Sequence, residues 1–62
     1  MIIRIHQPLW GGFPMHWVHG YPIANYKLTD DRALADDYLE GDAKAIEADL
    51  RKTFPNAIVH IR

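Results

Sequence analysis

Residues 30 to 42 read DDRALADDYLEGD and set six carboxylates against one arginine. Such a run is either a solvated helix face or a surface built for a basic partner. All eight acidic residues of the chain fall between Asp30 and Asp49, where Arg32 and Lys44 are the only bases; that window carries −6, and the rest of the chain carries +5. Histidines offer a second kind of chemistry. His16 and His19 form HxxH, which on a helix would place both imidazoles on one face and begin a zinc site. In a strand the same spacing sends them to opposite faces, and no third or fourth ligand is signalled, so neither a metal nor another cofactor is expected.

Covalent chemistry is poorly provided for. The chain has no serine and no cysteine, and its two threonines, Thr29 and Thr53, sit at expected helix boundaries. The usual nucleophiles are therefore nearly absent. A histidine and a carboxylate can act as acid and base in many proteins, but nothing here specifies a pocket for them, and an enzyme is not expected. Sixty-two residues make one domain, 1–62. At that size an apolar core seldom supplies more than about 3–5 kcal/mol of net stability. The missing cysteines exclude disulfide staples and fit a reducing cytoplasm. MIIRIHQPLW breaks its apolar residues with Arg4, His6 and Pro8, and no run approaches the ~18 apolar residues of a membrane span.

The elements that position these groups follow from periodicity. MIIRIH and AIVHIR both alternate, which predicts strands from the two ends of the chain paired in one sheet. Ile3, Ile5, Val59 and Ile61 would face a helical layer, and Arg4, His6, His60 and Arg62 would lie together on the far side. That basic face could touch phosphate, but without a glycine-rich loop or a recognition helix it predicts no direct contact with nucleic acid. Between Pro8 and Pro22, glycines and prolines punctuate bulky residues and argue against helix. Trp17–His19 and Ile23–Leu28 are the candidates for one or two middle strands, forming an edge hairpin. Phe13 and Trp17 are expected in the core. Trp10 and Tyr21 are candidates for an exposed docking loop, through which a small assembly module would bind a partner or a second copy.

Thr29 is a good N-cap, and Asp30 and Asp31 suit a first turn, so one helix is predicted from Asp30, with Leu34, Ala35, Tyr38 and Leu39 as its apolar stripe and Gly41 as its stop. Asp42 would cap a second helix whose inner face is Ala43, Ile46, Leu50 and Phe54. The fold class expected is α+β: a small, mainly antiparallel sheet with one face covered by two consecutive helices. In that arrangement Asp36, Asp37 and Glu40 crowd the C-terminal half of the first helix, where the dipole disfavours negative charge by roughly 0.3–1 kcal/mol each. With Asp30, Asp31 and Asp42 they would make an acidic ridge opposite the apolar stripe.

In size, lack of cysteine, segregated acidity and lack of an enzyme motif, the chain is similar to the small phage-encoded inhibitors, including anti-CRISPR proteins that imitate nucleic acid. The likeness covers residues 30 to 49 and is one of size and charge. It implies a cytoplasmic inhibitor that occupies the basic surface of a nucleic-acid-binding protein in the host cell. Asp36, Asp37 and Glu40 would be central, and Asp30, Asp31 and Asp42 flanking.

Overall fold

A computed structural model of the protein describes residues 1–7 and 15–62. The expectations for Trp10 and Phe13 lie outside the described residues. The chain is a small α+β domain. Strands β1 (Ile3–His6), β2 (Met15–His19), β3 (Lys27–Thr29) and β4 (Ile58–Ile61) form one sheet in the order β3-β2-β1-β4, and every neighbouring pair is antiparallel. The terminal strands pair as their alternation predicts, with Ile3 opposite Ile61 and Ile5 opposite Val59. A single α-helix, α1 (Glu40–Thr53), covers one face. Ala43, Ile46 and Leu50 are buried with Ile3, Ile5, Val18 and Val59, and Phe54 and Ile61 pack at the margin. Among the described residues no helix is long and apolar enough to cross a membrane.

The helix predicted from Asp30 does not form, and the covering layer is one helix rather than two. The capping signal is real but is spent locally. The Thr29 hydroxyl accepts from the Asp31 N–H at 3.1 Å, and the Asp31 carboxylate accepts from Ala33 N–H at 3.0 Å. Together they close a single 3₁₀ turn, Arg32–Leu34. Short polar side chains that bond nearby backbone offer the chain such an alternative to helix. From Ala35 the backbone is extended, and the ends of β1 and β2 claim it. Asp36 N–H donates to the Val18 carbonyl at 3.2 Å, and Tyr38 N–H donates to the Met1 carbonyl at 2.7 Å.

In an extended segment neighbouring side chains point to opposite faces, which parts Tyr38 from Leu39, and Leu34 is held apart in the 3₁₀ turn. Tyr38 is 2% exposed and belongs to the core, whereas Leu34 and Leu39 are 54% and 76% exposed. Gly41 does not stop a helix: it lies in the first turn of α1, and Leu39 rather than Asp42 holds the N-cap position. Glu40 and Asp42 fall in that first turn, where the dipole favours carboxylates. The cost inferred for Asp36, Asp37 and Glu40 at a helix C-terminus therefore vanishes.

Truncation distinguishes the two arrangements. Tyr38→Ala should cost about 3–5 kcal/mol, as loss of a buried aromatic does, while Leu34→Ala and Leu39→Ala should each change stability by under ~1 kcal/mol. Urea unfolding of the three variants checks this; a loss for Leu34→Ala as large as that for Tyr38→Ala would restore the helical stripe.

Candidate functional site

Alternation along the strands decides which side chains lie on the outer face, the one that α1 does not cover. Arg4 stands opposite His60 on β4 and opposite Trp17 on β2, and Trp17 stands opposite Thr29 on β3. His60, Arg4, Trp17 and Thr29 thus form one row across all four strands, roughly 14 Å at about 4.8 Å per strand. Ile2 and Arg62 exchange both backbone hydrogen bonds, at 2.7 and 3.0 Å, and extend the same face by one more pair. Arg32 joins them from its 3₁₀ turn. Ile2, Arg4, Trp17, Arg32, His60 and Arg62 line a shallow cleft of about 200 Å³.

Trp17 is a correction. It was expected in the core, but its strand neighbour Val18 takes that place and is fully buried. One position of register exchanges the two faces of a strand, and the sequence Met15–His19 carries apolar residues on both. By the same parity His16, opposite Ile5, faces the helix side, and His19 shares the outer face with Trp17. Among the described residues no group of three or more His, Cys, Asp or Glu could hold a metal ion.

Among the described residues the arginines of this face have no ion-pair partner. Among the described residues the ion pairs are Met1 with Asp37, Lys44 with Glu40 at 3.4 Å, and Arg51 with Glu47 at 3.1 Å. None involves Arg4, Arg32 or Arg62. The Nε of Arg4 is moreover shielded from solvent without a hydrogen-bond partner among the described residues. Leaving a desolvated donor unpaired costs about 1–3 kcal/mol, and more for a charged group. Such a group in a folded protein calls for an ordered water or an ion as its partner.

The acidic residues, by contrast, are mostly engaged. The Asp36 carboxylate accepts from the Gly20 N–H at 2.6 Å, and Asp37 holds the α-amino group of Met1. Asp31 caps its turn, Glu40 pairs with Lys44, and Asp49 accepts from the Tyr26 hydroxyl at 2.5 Å. Asp30 is exposed ahead of the turn. The helix that was to align these carboxylates is absent, and Asp36 and Asp37 lie instead in the segment between the 3₁₀ turn and α1. Burial and then the charges of Asp36, Asp42 and Asp37 raise the pKa of Tyr21. Tyr21 is 58% exposed, lies against Tyr38 with ring centroids 5.0 Å apart and planes tilted by 40°, and donates to the Asp37 carbonyl at 3.3 Å. The Tyr38 hydroxyl, pushed up to about 12 chiefly by burial and then by Asp36, donates to the Gly20 carbonyl at 2.8 Å.

Sequence reasoning placed Arg4, His6, His60 and Arg62 on one face and missed Trp17 and Arg32. The register of β2 would have revealed Trp17; nothing local marks Arg32, which arrives from a turn. No family model, curated protein or solved structure matches the chain.

Because Arg4 has no ion-pair partner among the described residues, its charge should add nothing to stability. Arg4→Met, which keeps the aliphatic packing of the side chain, should melt at the same temperature as the parent or above it. A fall of more than a few degrees would show that the guanidinium has a structural role.

Proposed function

We propose that this chain is a non-catalytic binding module that holds a phosphate-bearing ligand on the outer face of its sheet. One observation carries the reading: three arginines and His60 line a single cleft, none with a carboxylate partner, and the Nε of Arg4 is already desolvated. Guanidinium groups present a planar fork of donors that matches phosphate oxygens, and they hold their charge at any physiological pH. A bound phosphate would supply the negative charge that the three arginines lack. Bases on α1 are handled differently, since Lys44 and Arg51 each meet a glutamate one turn away. Lys52, in the last turn of α1, is left without such a pair among the described residues, but the three arginines are the unpaired cations that share one cleft.

A second reading rests on exposed Tyr21, which donates to the Asp37 carbonyl and follows Gly20, whose N–H the Asp36 carboxylate accepts. Here the acidic side would occupy the basic surface of a nucleic-acid-binding protein, as an inhibitor does. An exposed tyrosine in an acidic segment is a suitable anchor for such a partner.

Titration with inorganic polyphosphate and with a lysine-rich peptide at several salt concentrations separates the two. The first reading requires polyphosphate affinity that falls with salt at a log–log slope of about −2 to −3, as release of counterions from three contacts requires. Arg62→Gln should reduce that slope by about one. Absence of polyphosphate binding, together with peptide binding lost in Asp37→Asn/Asp42→Asn, would replace it with the second.

A further inference from the structure

We infer that the ligand of the outer face is single-stranded nucleic acid, with one base stacked on Trp17 and the flanking phosphates held by Arg4, Arg32 and Arg62. This inference rests on the phosphate-binding reading above and adds the class of molecule. Trp17 is the reason. A site for phosphate alone has no use for an indole, which carries one N–H donor and no charge, yet Trp17 lies at the centre of the basic row and lines the same cleft. Among the described residues no ring and no cation is stacked on it. An aromatic face between cations is the arrangement that binds single strands: the bases stack on the ring while the backbone follows the positive charge.

The size and surroundings of the cleft point the same way. At about 200 Å³ it is smaller than the roughly 300–1,000 Å³ of pockets that enclose a free small molecule. It suits one segment of a longer chain lying across the sheet. Ile2 inside the cleft, and Ile58 and Met15 in the next row, are exposed apolar side chains available to sugar and base. A duplex fits poorly. Its bases are already stacked on one another, which leaves nothing for Trp17, and α1, the one described helix long enough to enter a major groove, lies on the opposite face. That helix carries Glu40, Asp42, Glu47 and Asp49 against Lys44, Arg51 and Lys52, a net charge of −1.

The test uses the full chain with Trp10→Phe, so that Trp17 is the sole indole. Labelled oligo-dU and oligo-U of about ten nucleotides, a duplex of matching length, and polyphosphate of matching charge are titrated by anisotropy, with indole fluorescence followed in parallel. Both single strands should bind at least ten-fold tighter than duplex or polyphosphate and should quench Trp17. Preference for only one of the two would name the sugar and still support the inference. Trp17→Ala should weaken single strands roughly 5- to 150-fold, Trp17→Phe much less, as for loss of one stacked base. Circular dichroism confirms that the variants fold, and an unfolded Trp17→Ala leaves the quenching and the Trp17→Phe affinity as the deciding readings. Polyphosphate and duplex binding as tight as single-strand binding, without quenching, would overturn the stacking inference and leave phosphate binding standing. Failure of every polyanion would overturn both, and so would concentration-dependent dimerisation through Trp17 in place of nucleic-acid binding.

Discussion

The fold depends on how Asp36 and Tyr38 are held. Backbone bonds from these residues reach Val18 and Met1, the Asp36 carboxylate takes the Gly20 N–H, and the Tyr38 hydroxyl takes the Gly20 carbonyl. Gly20 sits at φ 106°, a conformation that glycine adopts without the penalty paid by other residues. The contacts tie the ends of β1 and β2 to a segment distant from both in sequence and bury an aromatic ring. They also draw residues 35 to 39 into extended backbone. One helix of 14 residues, about 21 Å long at 1.5 Å per residue, is then left to cover the sheet. It covers one face, and the other is left to the side chains of Ile2, Arg4, Trp17, His60 and Arg62.

Charge is distributed in keeping with that division. Acidic groups serve the fold: they cap a turn, receive a glycine N–H, hold the α-amino group, and pair along α1. Three arginines on the sheet side serve no such purpose. A marginal domain that leaves a guanidinium edge unsatisfied gives up stability it can ill spare. Local rules of this kind are broken at functional sites more than elsewhere, and this is why the outer face, and not the carboxylate-rich stretch, holds the primary assignment.

The parts of this architecture that were legible in the sequence share a clean period. Ile3, Ile5, Val59 and Ile61 alternate, and Ala43, Ile46, Leu50 and Phe54 recur at three and four, so the central strand pair and the inner face of α1 could be read directly. Thr29, Asp30 and Asp31 misled because capping residues signal any turn whose N–H groups need acceptors, and a three-residue 3₁₀ turn needs them too. Tyr38 fitted both a helical stripe and an alternating segment, and only contact with Gly20, far off in sequence, decided between them. Half of the basic face was visible from the terminal strands. Trp17 was hidden by a strand with apolar residues on both sides, and Arg32 by its position in a turn.

Amide chemical-shift mapping of the isotope-labelled chain during addition of a short single-stranded oligonucleotide tests the central assignment most directly. The account predicts that the largest shifts fall on the row His60, Arg4, Trp17 and Thr29, on Arg32 and Arg62, and on the Trp17 indole N–H, with the solvent side of α1 unmoved. Shifts centred on Tyr21, Asp36, Asp37 and Asp42, or none at saturating oligonucleotide, would contradict it.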